Sequence, residues 1–423
     1  MEFGLIGASL SHSYSVPIHA KLRDYAYELR SLPPEEFEAL LCSRAFRGLN
    51  ITIPYKQRAL VLCDSLSEAA RRIGCVNTVV PRADGSLYGD NTDYPGFLYM
   101  TDRAGIRFQN RKVVILGSGG TSLTAQAAAR DRGAAEVAVV SRSGAYHYGN
   151  LAALRDYDLL INTTPLGMYP HSGEAPVSLS GFPNCGGVID VIYNPLRTKL
   201  LQEAEQRGIP NTNGLPMLVA QAKYASDLFV DTVGEGLVSS RFSEDAQVAR
   251  VLTEMKTELT NIVLIGMPGS GKSTLGRLLA QRLGRVCLDT DALVAARAKL
   301  SIPEIFAQWG ETAFRELEAA ELADNAQRTG LVLSSGGGAV LREENRLALR
   351  QNGFVVWLRR DLEQLETAGR PLSTDIQSLQ RLYAEREPLY RDCCDFICDI
   401  DEKKTPPEAA EQVLEGFYET VGH

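Results

Sequence analysis

The sequence predicts an α/β protein with two nucleotide-binding halves, and three observations predict it. Asn261–Gly284 reads as strand, glycine loop and helix; Lys112–Arg132 reads the same way; short apolar runs alternating with helical patterns follow both. That alternation marks parallel sheets with crossover helices. A chain of 423 residues fits two or three domains. Roughly 260 residues precede the Asn261 stretch and about 160 follow it.

In that stretch Ile262, Val263, Leu264 and Ile265 form a buried-strand pattern. Gly266-Met-Pro-Gly-Ser-Gly-Lys-Ser273 then fits G-x-x-x-x-G-K-[ST] at every fixed position. Leu275, Leu278, Leu279 and Leu283 give the helix, and Gly284 its C-terminal cap. Gly269 and Gly271 let backbone N–H groups, with those of Ser273 and Thr274 at the helix start, turn around phosphate oxygens. Lys272 adds a full positive charge and Ser273 an oxygen for Mg²⁺. The chain is expected to bind a nucleoside triphosphate.

The hydrophobic fraction of 44% and charged fraction of 23% are those of ordinary globular proteins. A net charge of −8 argues against a nucleic-acid partner. No run approaches the ~18 apolar residues of a membrane span, and Met1-Glu2-Phe3-Gly4 lacks the basic start of a signal peptide. Eight cysteines show no paired metal spacing, and the Cys393-Cys394…Cys398 cluster has no histidine beside it. They read as reduced thiols of a cytoplasmic protein whose partners are small molecules. Oligomeric state is not encoded in any of these patterns.

In order, residues 2–7 read as a strand, followed by a hydroxyl-rich loop containing His12, Ser13 and Ser15 and a helix from about Pro17 to Tyr27. Alone, such a loop is a turn with capping residues. Gly48–Lys56 alternates as a strand and ends in a lysine, a pattern that by itself places Lys56 on the solvated surface. Gly74–Val80 is a strand, Asp84-Gly85 a hairpin turn, and Leu87–Asp93 the return. Lys112–Leu116, the loop Gly117-Ser-Gly119-Gly120-Thr121-Ser122, an alanine-rich helix and Glu136–Val140 make a βαβ dinucleotide-binding unit. Ser122 stands where the third fingerprint glycine is usual. After the second strand, Ser141-Arg142-Ser143 replaces the acidic residue that would hold the ribose of NAD; Arg142 suits the 2′-phosphate of NADP. Two further strands end in the loops Asn162-Thr163-Thr164-Pro165 and Tyr193-Asn194-Pro195, at the edge where ligands sit in parallel sheets.

Several signatures now coincide: the His-Ser-x-Ser loop, Asn50-Ile-Thr-Ile-Pro-Tyr-Lys56, Val76-Asn-Thr78, Gly89-Asp-Asn-Thr-Asp93, the Gly117 loop, Asn162-Thr-Thr-Pro-x-Gly-Met168 and Gly214-x-x-Met-Leu-Val-x-Gln-Ala222. In order and spacing the first half resembles shikimate dehydrogenase. The second half, with Asp289-Thr-Asp291, Phe314-Arg-Glu-Leu-Glu318, Gly336-Gly-Gly338, Gly369-Arg370-Pro-Leu and Arg386-Glu-Pro-Leu-Tyr390, resembles shikimate kinase. The resemblance implies a catalytic pair, Lys56 and Asp93, with Ser13, Ser15, Thr52, Asn77, Tyr193 and Gln221 around the substrate. Met217 would lie near the nicotinamide, and Gly117, Gly119, Gly120, Thr121, Arg142 and Thr163 would hold NADP(H). In the kinase half it implies Asp291 and Lys272 as catalytic, Ser273 and Asp289 on Mg²⁺, Arg315, Gly337 and Arg386 on shikimate, and a lid arginine, Arg370, on ATP.

The resemblance further implies a two-lobed dehydrogenase, with residues 1–97 and 214–243 as substrate lobe and 98–213 as a Rossmann-like NADP domain. A linker at 244–259 would lead to a P-loop kinase domain at 260–423 with a parallel five-stranded sheet and a lid near 365–380. Two departures stand out: Ser15-Val16-Pro17 moves a proline by one place, and Leu372-Ser373 replaces two leucines in the lid. The expected activity is NADPH-dependent reduction of 3-dehydroshikimate followed by ATP-dependent phosphorylation of shikimate. Alternatives are a quinate or broad-specificity dehydrogenase fused to the same kinase, or a sensor built on decayed enzymes. Retention of Lys56, Asp93, Lys272 and Asp291 argues against decay.

Overall fold

The computed structural model describes residues 2–10, 13–230, 246–365, 376–401 and 403–422. The chain forms two compact units, one of Met1–Gly167, Ala175–Tyr193 and Leu200–Leu252, the other of Met168–Glu174, Asn194–Lys199 and Thr253–His423.

The first unit holds two sheets. Strands β1 (Phe3–Gly7), β2 (Tyr27–Ser31), β3 (Gly48–Ile51), β4 (Ser65–Leu66), β5 (Thr78–Pro81) and β6 (Leu87–Asp90) form a mixed sheet ordered β2-β1-β3-β5-β6-β4. Alternation along β1 sends Phe3 and Leu5 to one core and Ile6 to another. The first of these cores includes Phe229 of the helix Leu215–Val230. That helix approaches so closely that a Cβ on Gly48 would lie 2.1 Å from the Phe229 ring. Gly96, in the helix Asp93–Arg103, serves the same approach: its Cβ would lie 2.8 Å from the Met217 carbonyl oxygen.

The second sheet is wholly parallel and contains β7 (Lys112–Leu116), β8 (Glu136–Val140), β9 (Leu159–Asn162), β10 (Gly187–Asp190) and β11 (Asn211–Thr212), ordered β11-β10-β9-β7-β8. Both faces are covered, with Val113 and Ile115 in one core and Val114 and Leu116 in the other. Successive strands step to opposite sides of β7, so the loops leaving β7 and β9 diverge and open a crevice.

The second unit repeats this logic. Strands β12 (Asn261–Ile265), β13 (Cys287–Asp289), β14 (Val332–Ser334), β15 (Gly353–Arg360) and β16 (Phe396–Ile400) run parallel in the order β13-β14-β12-β15-β16, the expected five strands. Ile262 and Leu264 point into one core, Val263 and Ile265 into the other. The helix Lys272–Leu283 ends at Gly284 with φ of 65°, the left-handed cap expected there. Residues expected as linker include a helix, Ala246–Leu259; positions 231–245 lie outside the described residues.

One expected element is wrong in extent. The helix predicted for Pro17–Tyr27 spans Ser15–Leu22, because Arg23 turns to extended backbone, and Tyr27 opens β2. Starting at Ser15 places Pro17 in the first turn, where no intrahelical N–H bond is lost. The shifted proline is therefore accommodated.

All eight cysteines are free thiols. Among the described residues no helix is long and apolar enough to cross a membrane.

His19, on that first helix, is fully buried and stacked on Tyr27 with ring centroids 3.8 Å apart. Burial pulls its pKa down to about 3. The unfolded chain takes up this proton below the ordinary value near ~6.5, and the folded chain resists until far lower. Stability is therefore lost as pH falls from ~6.5 towards 3, by ~2 kcal/mol at pH 5. Urea unfolding at pH 7 and pH 5 should show that difference, and His19→Gln should reduce it. An equal pH dependence in both proteins would remove His19 as the cause.

Candidate active sites

The first unit contains a cavity of about 180 Å³ whose wall gathers Ser13, Ser15, Thr52, Lys56, Asn77, Asp93, Thr121, Tyr193, Met217 and Gln221. Ten of the predicted positions, spread over two hundred residues of sequence, thus converge. Lys56 and Asp93 each begin a helix, Lys56–Leu62 and Asp93–Arg103, so both side chains emerge from fixed backbone. Lys56 Nζ donates to Asp93 Oδ2 at 2.5 Å, and both side chains are largely buried. Ser13 Oγ donates to Ser15 Oγ at 3.0 Å and accepts from the Ser15 amide at 3.2 Å, closing the hydroxyl-rich loop on itself. Tyr193 meets Tyr14 with ring centroids 5.4 Å apart, and burial pushes its hydroxyl up to about 12, so it is a proton donor at neutral pH.

Asn77 is held at both ends of its amide. Its Oδ1 accepts from the Thr92 backbone N–H at 2.7 Å, and its Nδ2 donates to Thr92 Oγ1 at 3.0 Å. Asn50 also lines the cavity and was absent from the predicted set. The signal was available: it is a polar residue in the middle of a fully buried strand, where side chains need partners.

Gly117, Gly119, Gly120, Arg142 and Thr163 are not in that wall. They stand at the C-terminal ends of β7, β8 and β9, at the crevice between diverging loops. Gly117 has φ of +107°, and a Cβ there would lie 2.6 Å from the Thr163 hydroxyl, which itself donates to the Leu116 carbonyl at 2.6 Å. A Cβ on Gly119 would meet nothing within 4 Å, so that backbone is open to a ligand. These residues fit a dinucleotide pyrophosphate, with the exposed Arg142 at the end of β8 placed for a further phosphate. Thr121 belongs both to this loop and to the wall of the first cavity.

The second unit has a cleft of about 550 Å³ lined by the glycine loop Pro268–Thr274, Asp289, Asp291, Arg315, Glu318, Gly336–Gly338 and Arg386. Lys272 Nζ donates to the Gly266 and Met267 carbonyls, both at 2.9 Å, which anchors the ammonium within the loop. Ser273 Oγ donates to Asp289 Oδ2 at 2.6 Å; Asp289 Oδ1 caps the next helix, accepting from Asp291 N at 3.1 Å and Ala292 N at 3.3 Å. These two hard oxygens fit Mg²⁺, which keeps water and nucleotide phosphates as its other ligands. No group of three or more His, Cys, Asp or Glu side chains that could hold a metal ion occurs among the described residues.

Opposite stand the arginines. Arg315 donates from Nη1 to Glu318 at 2.8 Å and from Nη2 to Glu311 at 3.1 Å. Glu318 is fully buried, and burial pushes its carboxyl above the ordinary range against the pull of Arg315. Arg386 donates to the Gly337 carbonyl at 3.1 Å, and its buried Nε has no partner among the described residues. Tyr390, which the predicted set lacked, donates to the same carbonyl from a fully buried position. The three glycines leave room for these groups. A Cβ at Gly336 would lie 2.4 Å from Glu318 Oε1, at Gly337 2.6 Å from Pro268, and at Gly338 2.3 Å from Arg315 Nη1. Arg360, Lys404 and Pro406 also line the cleft and were missed. Arg370 and most of the expected lid lie outside the described residues.

Comparison with known proteins resolves the family of each half. The family model for the shikimate dehydrogenase substrate binding domain matches residues 5–79, and that for shikimate kinase matches residues 268–418. An NADP(+) shikimate dehydrogenase of Clostridium perfringens is 36% identical over 249 residues, 54% of this chain and 91% of the relative. The chain belongs to the shikimate dehydrogenase family and carries a shikimate kinase domain. Among solved structures, shikimate dehydrogenase 1 of Peptoclostridium difficile matches 61% of this chain and 99% of its own, at 35% identity and TM-score 0.54. The Thermus thermophilus enzyme, solved with NADP(H) and shikimate, matches 60% of this chain and 100% of its own, at 33% identity and TM-score 0.51.

Proposed function

We infer that this shikimate dehydrogenase–kinase reduces 3-dehydroshikimate to shikimate and then phosphorylates the shikimate 3-hydroxyl, as a cytoplasmic enzyme of aromatic precursor synthesis. The observation that carries the reading is the Lys56–Asp93 pair at 2.5 Å inside a cavity that also holds Ser13, Ser15, Asn77 and Gln221. A lysine–carboxylate pair among hydroxyl and amide groups suits a polyhydroxylated keto acid and a proton transfer to its carbonyl oxygen.

Bound NADPH supplies the hydride. As negative charge develops on the substrate oxygen, Lys56 stabilises it and delivers a proton, while Asp93 orients the ammonium. Ser13, Ser15, Thr52, Asn77, Tyr193 and Gln221 hold the carboxylate and hydroxyls, and Met217 packs the nicotinamide side. Gly117, Gly119, Gly120, Thr121 and Thr163 accommodate the dinucleotide, and Arg142 pairs with its 2′-phosphate. Arg142→Ala should raise KM for NADPH roughly ten- to hundredfold, the value of a charged hydrogen bond, and leave KM for NADH within about twofold. Equal loss with both cofactors in steady-state assays would reject that role.

In the kinase cleft, bound Mg²⁺-ATP supplies the phosphoryl group. Gly269, Gly271, Lys272 and Thr274 hold its phosphates, and Ser273 and Asp289 offer oxygens to the metal. Arg315 and Arg386 grip the shikimate carboxylate beside Gly337, and Asp291 accepts a hydrogen bond from the acceptor hydroxyl. Arg370 is proposed to meet the transferring phosphate.

One incubation with 3-dehydroshikimate, NADPH and Mg²⁺-ATP, analysed by mass spectrometry, tests the whole reading. Shikimate 3-phosphate with equal NADP⁺ and ADP is expected. Shikimate without phosphate would remove the kinase assignment, and unconsumed NADPH the dehydrogenase one.

A further inference from the structure

Asn77 and Asn50 are joined by a chain of buried hydrogen bonds that starts at Tyr27, one hydrogen bond behind the cavity wall. Tyr27, at the start of β2, donates from its hydroxyl to Asn50 Oδ1 at 2.7 Å. Asn50 Nδ2 donates to Thr78 Oγ1 at 3.1 Å and to the Asn77 carbonyl at 3.4 Å. Thr78 Oγ1 then contacts Asn77 Oδ1 at 3.2 Å and Thr92 Oγ1 at 3.1 Å. Asn50, Asn77, Thr78 and Thr92 are each at most 4% exposed.

Two backbone groups fix the orientation of both amides. A backbone N–H only donates and a carbonyl only accepts. The Thr92 amide therefore sets Asn77 Oδ1, and the Asn77 carbonyl sets Asn50 Nδ2. Asn50 Oδ1 must then face Tyr27, which donates to it. Thr78 accepts from Asn50, so its own proton goes onward to Asn77 or Thr92. Asn77 Nδ2 has one hydrogen on Thr92 Oγ1 and the other left for the cavity that Asn77 lines.

We propose that Tyr27 and Thr78 are positioning residues for the dehydrogenase: Thr78 directly, and Tyr27 through Asn50 and Thr78, reinforce the hold of the Thr92 amide on Asn77 Oδ1, so that Asn77 presents an N–H donor, and no acceptor, to a substrate hydroxyl. Neither residue touches substrate, and Tyr27 acts across two strands. The inference rests on Asn77 as a substrate ligand, and the two can fail separately.

The test is a set of variants of the full chain, with the dehydrogenase kcat in the same sample reporting that the first unit is folded. Thr78→Val keeps shape and removes the hydroxyl; KM for 3-dehydroshikimate should rise about tenfold, with kcat and KM for NADPH within about twofold. Thr78→Ser should restore it, and Tyr27→Phe should raise KM about threefold. In an Asn77→Ala background, Thr78→Val should add nothing further. If Thr78→Val costs the same factor with Asn77 absent, or raises KM for NADPH in step, the relay is refuted. If Asn77→Ala alone leaves KM unchanged, the ligand assignment itself falls.

Discussion

Lys56→Met should lower the dehydrogenase kcat by about 10²–10⁴, the range for loss of a positioned proton donor, and leave kinase turnover intact. The side chain is only 15% exposed and its ammonium is held at 2.5 Å by Asp93. Methionine conserves the stem and removes the charge, so packing beside Gly120 survives. The developing alkoxide then has no cation beside it. Steady-state reduction of 3-dehydroshikimate, with shikimate phosphorylation on the same preparation, decides the matter; near-normal reduction would move the proton donor to another group.

Lys272→Met should do the reverse. Its ammonium bridges two backbone carbonyls of the glycine loop, where it faces phosphate charge that grows during transfer. Loss of such a preorganised electrostatic group costs about 10²–10³ in kcat. The variant should stop the coupled reaction at shikimate, visible as NADPH consumption without ADP. Continued ADP release at the normal rate would mean that the loop binds nucleotide without serving the chemistry.

These two variants also show what the sequence made legible. Lys272 was readable from local spacing, because strand, loop and helix are contiguous and each residue type has one job. Lys56 was not: position alone suggests solvated surface, and its partner lies on another helix thirty-seven residues on. Only the family resemblance, and then the cavity, brings them together. Strands β7, β9, β10 and β12 were legible because short apolar runs mark strands buried on both faces. The helix after Ser15 was read too long because the chain's turn at Arg23 is a tertiary choice, made where Tyr27 joins β1. Tyr390 and Arg360 escaped because they act through groups from distant segments, on a carbonyl and in a cleft that local pattern does not reveal. Glu318 was readable as the neighbour of Arg315 on a helix face; its complete burial was not.

The Gly336–Gly338 turn has a consequence for how the kinase can change. At each of these positions the space a side chain would fill already belongs to Glu318, Pro268 or Arg315. Alanine at Gly337 would meet the Pro268 ring, which has no free end to swing aside, whereas at Gly336 and Gly338 it would have to displace the Glu318 carboxylate or the Arg315 guanidinium. A change of acceptor alcohol in this kinase is therefore expected to involve the turn and those side chains together.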